Sequence, residues 1–271
     1  MQTNLPRLTL INAGSVSELL KLYLHSGFES YLGALIMMER KPNIAILYFS
    51  LSAEAEAYNK SWFSKNRFEN NRHLASTLIS DTYLSLKKSG LDIFHFHEGN
   101  QKGNSFGEKL ANAYDDLFKK GFDAVIAVGN DAPELAKTDW NQVVEELEAG
   151  NSVLGPTYRQ GAYLIGLTKD HFQKDLFQQL PWQTRSLLDA LLAFSKKSGE
   201  KVLLLQRLRD VNTLFDVYKI SESTFLSQTL LLLLKVLLFK KTPTPLPKTS
   251  ILFSSIQYAS PGLRAPPIQF A

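Results

Sequence analysis

Two short, uninterrupted apolar runs constrain this chain most: residues 43–50, NIAILYFS, and residues 123–129, DAVIAVG. A strand with one wet face alternates apolar and polar side chains. A run that is apolar throughout must be covered on both faces, as in a parallel sheet packed between helices. Around these runs the apolar spacing widens to three and four. Residues 71–89 read as a helix stopped at Gly90, and residues 91–97 as a second strand. Residues 101–104 turn into a helix that continues to Lys120. It places Phe106, Leu110, Ala113, Tyr114, Leu117 and Phe118 on one face, and Gly121 ends it. Further helices are predicted over 138–149, 184–197 (before Gly199) and 213–220, and strands over 152–154, 162–167 and 201–206. Residues 51–70 read as a polar loop. Strands separated by helices imply βαβ units. The expected fold class is α/β: a three-layer α/β/α arrangement with a mainly parallel, Rossmann-like sheet.

Charge and proline divide the chain into three. Residues 1–41 form an irregular leader, with Met37 or Met38 expected as the natural start. Residues 42–220 form the α/β domain. Residues 221–271 form a tail with a leucine run and six of the eleven prolines. From residue 221 onward five basic residues (Lys235, Lys240, Lys241, Lys248 and Arg264) face one acid, Glu222. That accounts for the whole net charge of +4, so residues 1–220 are neutral. A neutral body argues against nucleic acid as a partner, which needs a basic face. With no cysteine, disulfides, thiolate zinc sites and a cysteine nucleophile are excluded. The apolar run 230–239 is interrupted by Lys235 and is shorter than the roughly 20 residues of a spanning helix. A basic n-region followed by a long apolar stretch is also missing, so a cytoplasmic location is expected. Residues 225–241 would offer a helix to the domain, to a partner or to a membrane surface.

Sheets of this kind bind ligands beyond the carboxyl ends of their strands, which directs attention to loops 51–70, 98–104, 130–136 and 155–161. Asp131 follows the second apolar run directly. Gly129 lets the backbone approach a ligand closely, and Pro133 keeps the strand from continuing. Such a carboxylate either caps a turn or holds a hard cation, Mg²⁺ or Mn²⁺. Residues 101–108, QKGNSFGE, place glycines before a helix start, which is either an anion cradle or an ordinary turn. Lys60, Lys65, Arg67 and Arg72 complement phosphate or form a solvated loop. His95 and His97 share one side of a strand, but no third ligand is near in sequence, which disfavours zinc. Trp182, after Pro181, reads as a packing anchor.

In order and spacing, QKGNSFGEKLANAY, VIAVGNDAPEL, VLGPTYRQGAYLIGL, LPWQT and LRDVNTLFDV resemble the DUF2064 family. That family is assigned to the GT-A-like nucleotide-diphospho-sugar transferase superfamily and is related to 2-phospho-lactate guanylyltransferases. The resemblance covers about residues 43–220. It implies that Gln101, Gly103, Gly107 and Glu108 line a nucleotide pocket together with Gly129 and Gly161, and that Asp131 is a metal-binding carboxylate. Gly155, Pro156, Tyr163, Pro181 and Trp182 also match family positions. The chain departs from the family at three places. Arg159-Gln160-Gly161 stands where members usually carry Asp-Gly-Gly. Asp210-Val211-Asn212 replaces Asp-Val-Asp. The segment 60–67 lacks the glycine of a nucleotide loop, leaving Lys65 and Arg67 as its phosphate-binding candidates. The implied function is a metal-assisted glycosyl- or nucleotidyltransferase. Its donor would be a nucleotide or nucleotide-sugar and its acceptor is unidentified. Asp131 and Arg159 would be the catalytic residues, with Arg159 on a phosphate or an acidic acceptor. The alternative is a catalytically degenerate member that acts by binding a nucleotide or a partner.

Overall fold

The computed structural model describes residues 41–60, 62–197 and 201–239. The expected leader, apart from Lys41, the stop at Gly199 and the Pro-rich end lie outside these residues.

Six strands form one sheet: β1 (Ile44–Phe49), β2 (Asp92–Phe96), β3 (Ala124–Val128), β4 (Ser152–Pro156), β5 (Ala162–Thr168) and β6 (Val202–Leu204). Their order is β2-β1-β3-β5-β4-β6. β1 runs parallel to both β2 and β3, and β4 parallel to β6; β5 is antiparallel to its neighbours β3 and β4. The sheet is therefore largely parallel with one reversed strand. The reversal follows from chain length: β4 and β5 are joined by five residues, which allow a hairpin but not the longer crossover that parallel strands need.

Helices cover both faces. Ala45 and Leu47 of β1 and Val125 and Ala127 of β3 face one cluster, with Leu110, Tyr114 and Leu117 of α3 (Phe106–Lys119). Phe177 of α5 (Lys174–Gln178) and Leu191 of α6 (Leu187–Lys197) complete that layer. The alternate residues Ile44, Ile46, Tyr48, Ala124, Ile126 and Val128 face the other layer, with Val143 and Leu147 of α4 (Trp140–Glu148) and Leu86. The all-apolar strands are thus buried on both sides, as their sequence requires.

One expectation changes. Residues 51–70 are not a loop. They contain α1 (Ala53–Asn59), and α2 (Phe68–Leu86) begins before their end. Ser52 caps α1 by accepting the Ala55 N–H at 3.3 Å, and the alternating Ala and Glu residues favour a helix. The leucine run takes the helical form expected of residues 225–241 and packs on the domain. It forms α8 (Gln228–Phe239), whose Leu230, Leu234 and Leu237 share a third cluster with Leu74 and Leu78 of α2 and Val217 of α7 (Leu214–Ile220). Leu232, Val236 and Phe239 remain exposed on its other side. Among the described residues no helix is long and apolar enough to cross a membrane.

Candidate active site

The carboxyl ends of β1, β3 and β4 open into one cleft of about 880 Å³. Because β5 is reversed, its first residues, Ala162 and Tyr163, reach the same edge. Gln101 ties β1 to β2 here: its amide donates to the carbonyls of Ser50 and Phe96, both at 3.2 Å.

Asp131 lies at the floor. Its Oδ2 accepts from Lys60 Nζ at 3.3 Å, and the same ammonium meets Glu56 Oε1 at 3.0 Å. Glu56 and Lys60 stand one turn apart on and just after α1, which explains how one cation reaches both carboxylates. Burial works against the Lys60 charge, but Asp131 and Glu56 outweigh it and raise its pKa. Asp131 Oδ1 has no hydrogen-bond partner among the described residues. It sits over Gly129, where a Cβ would come within 3.3 Å of it.

A second carboxylate, Asp210, joins Asp131 from the segment after β6. Val211 fixes it there: its N–H donates to the Asp131 carbonyl at 2.8 Å, and its own carbonyl accepts from Trp62 Nε1 at 2.9 Å. Burial raises the pKa of Asp210, and the nearby charge of Asp131 adds to the effect. Asp210 Oδ2 accepts from the Asn212 amide at 2.5 Å and lies 3.5 Å from Arg159 Nη1. Arg159 Nη2 donates to Asp216 Oδ2 at 2.7 Å. Asp216 also takes the N–H groups of Asn212 and Thr213 and caps α7 together with Thr213. Burial would raise the Asp216 pKa, but these hydrogen bonds hold it below the ordinary value.

Of the residues expected from sequence, the cleft brings together Gln101, Gly129, Asp131, Arg159 and Gly161. Lys60, Tyr163 and Trp182 line it as well, whereas Gly103, Gly107, Glu108, Lys65 and Arg67 lie outside its lining. Gly103 takes a left-handed conformation (φ 132°) in the turn before α3. Glu108 Oε2 accepts the Asn104 N–H at 2.7 Å and so belongs to the cap of α3. Gly107 is a packing glycine: a Cβ there would fall 2.2 Å from the Gln178 carbonyl and 2.5 Å from Trp182 Cδ1. Arg67 stands 5.0 Å over the Phe63 ring and donates to the Leu237 carbonyl at 3.4 Å, while Lys65 is exposed on the turn before α2. Pairing with α8, which local sequence does not show, draws Arg67 away. Arg159 meets two of the chain's own carboxylates, not open space. Trp182 is held by its Nε1 on the Phe177 carbonyl at 3.0 Å and by the rings of Phe106 and Phe177, and one edge faces the cleft. Glu56 and Asp210 were missed as site residues. The Asp-Val-Asn stretch was visible in sequence, but its place beside Asp131 was not. His95 stacks on Tyr48, and its Nε2 lies 2.7 Å from Ser50 Oγ; burial, then His97, lowers its pKa.

The family described as "Uncharacterized protein conserved in bacteria (DUF2064)" matches residues 88–184. Over these residues the chain is similar to DUF2064. The DUF2064 stretch supplies Gln101, Gly129, Asp131, Arg159 and Gly161 to the cleft; Glu56, Lys60 and Asp210 come from outside it. A Desulfovibrio desulfuricans G20 crystal structure, provisionally designated a nucleotide-diphospho-sugar transferase, shares the fold. Its TM-score is 0.61 at 21% identity, covering 72% of this chain and 95% of that one. What the two share is a mixed α/β architecture, a largely parallel sheet flanked by helices. A Mycobacterium tuberculosis H37Rv protein gives a TM-score of 0.45 at 11% identity over 68% of this chain and 100% of its own. A cytidylyltransferase from Leptospira borgpetersenii serovar Hardjo-bovis gives 0.32 at 14% identity over 73% and 95%. Both are too distant to carry weight. No curated protein matches the chain.

Proposed function

We propose that the cleft binds a nucleotide or nucleotide-sugar donor and transfers its glycosyl or nucleotidyl group to a second substrate. The observation that carries this reading is the meeting of Asp131 and Asp210, from separate loops, at the carboxyl edge of the sheet in a cleft of nucleotide size. The designation of the Desulfovibrio protein supports it.

The two carboxylates suit a hard divalent ion, Mg²⁺ or Mn²⁺, and Asp131 Oδ1 is the open donor. Among the described residues no third His, Cys, Asp or Glu completes a set, so Asp131 and Asp210 would share the ion with the donor's phosphates. When bound, such an ion neutralises phosphate charge as the leaving group departs. The chain's own residues set the geometry. Lys60 orients Asp131 from α1, Gly129 leaves the space below it, and Arg159 ties the 157–161 turn to α7 through Asp216. The guanidinium beside Asp210 favours a second reading, a member that binds a nucleotide without turnover.

Calorimetry with GTP, CTP and UDP-sugars, with and without Mn²⁺, tests the reading. One donor should bind more tightly with Mn²⁺, and Asp131→Asn should lose that increment while remaining folded. If the variant binds donor and metal like the parent, Asp131 is only a turn residue. If no donor binds the parent, the transferase reading fails. Binding without product formation selects the second reading.

A further inference from the structure

Four cations line the cleft: Lys60, Lys109, Arg159 and Arg185. Lys60 is held by Glu56 and Asp131, and Arg159 by Asp210 and Asp216. Lys109 and Arg185 make no ion pair and no side-chain hydrogen bond among the described residues, although both face the same cavity.

Lys109 also stands where a local rule disfavours it. Lys109 is the fourth residue of α3, four after the Ser105 cap. The amino end of a helix carries partial positive charge and prefers anions. An unpaired ammonium there adds to the positive field facing the cleft. Arg185 lies two residues after Gln183, whose φ of 61° is left-handed, a conformation uncommon outside glycine. The turn is braced by Thr184 Oγ1 donating to the Pro181 carbonyl at 2.7 Å and by Trp182 wedged on Phe106 of the same α3. One aromatic wedge thus sets the two cation-bearing elements against each other.

We propose that Lys109 and Arg185 form the phosphate-binding wall of the cleft. This rests on the cleft being a nucleotide site, and it assigns the phosphate oxygens to these two side chains and not to Lys65, Arg67 or Arg159. Lys60 and Arg159 serve the chain's own carboxylates, whereas the free pair offers charge-assisted hydrogen bonds to an incoming oxyanion.

The test uses the full chain, titrated calorimetrically with inorganic pyrophosphate and with the nucleotide panel. The variants are Lys109→Gln, Arg185→Gln, the double substitution, and Arg67→Gln as a control outside the cleft. Each single variant should weaken pyrophosphate and nucleotide binding about tenfold or more. The double variant should show no measurable binding, and Arg67→Gln should match the parent. Because neither cation is paired, thermal unfolding of the variants should follow the parent, which separates lost binding from lost fold. A double variant that keeps parental nucleotide affinity overturns this inference and leaves the nucleotide site standing. Pyrophosphate binding that depends on Lys109 and Arg185, with no nucleotide bound, supports the wall and removes the nucleotide reading. A parent that binds neither overturns both.

Discussion

Lys60→Met tests whether one ammonium holds the floor of the cleft together. The substitution keeps the length of the side chain and removes its charge. Glu56 then loses its partner at 3.0 Å and Asp131 its partner at 3.3 Å. Breaking a buried pair by removing one partner costs about 3–5 kcal/mol, because the other charge is left buried alone. The three groups are not equally buried. The Glu56 side chain is 5% exposed, Lys60 20% and Asp131 32%. Water can solvate the released Asp131, whose share falls toward the roughly 0–1 kcal/mol of a surface pair. Glu56 cannot be solvated so easily and carries most of the loss, so we expect a total of about 2–3 kcal/mol. For a body of this size, that lowers Tm by roughly 4–12 °C. Chemical denaturation followed by circular dichroism measures it. Adding Glu56→Gln in the Lys60→Met background removes the stranded charge and should recover more than half of the loss. A loss below about 1 kcal/mol for Lys60→Met, or a further loss on adding Glu56→Gln, would refute the reasoning.

Gly107→Ala should cost about 1–3 kcal/mol as an overpacking change, because the new Cβ meets the backbone carbonyl of Gln178 at 2.2 Å. It should also loosen Trp182, seen as a red shift in tryptophan emission; an unshifted spectrum and unchanged Tm would show that the contact is not tight. Asp115 accepts from Lys174 of α5 at 2.7 Å and from Lys119 at 2.9 Å, so it pins α5 to α3. Burial alone would raise its pKa, but the two lysines win and hold it below the ordinary 3.8. A depressed carboxylate stabilises the fold above its unfolded pKa and loses that contribution as pH falls through its folded value. Asp115→Asn should therefore lower Tm at neutral pH, and the gap from the parent should close as pH drops below about 4; a gap that widens in acid contradicts the assignment.

Continuity of apolar character made β1 and β3 legible, because a run with no polar face can be buried only on both sides. The long amphipathic helix before β3 was equally plain, since its stripe and its Gly121 stop are local properties. The position of Asp131 at a strand end, and hence at the carboxyl edge of the sheet, followed from the same local pattern. Residues 51–60 misled because α1 is short and polar, with an apolar contribution too small to mark a helix. What no local pattern contains is which loops meet. Asp210 reaches Asp131 through a backbone bond from Val211, across 80 residues of chain. Arg159 finds Asp216, 57 residues away, and Arg67 turns to the carbonyl of Leu237, 170 residues away. Charge type could be read from the chain, but charge pairing could not. An ion pair is decided by distance, and distance between remote segments exists only once the sheet order β2-β1-β3-β5-β4-β6 has placed their ends side by side. Glycine shows the same limit. At Gly107 the sequence revealed a missing side chain, and the fold alone filled the space with Trp182 and Gln178.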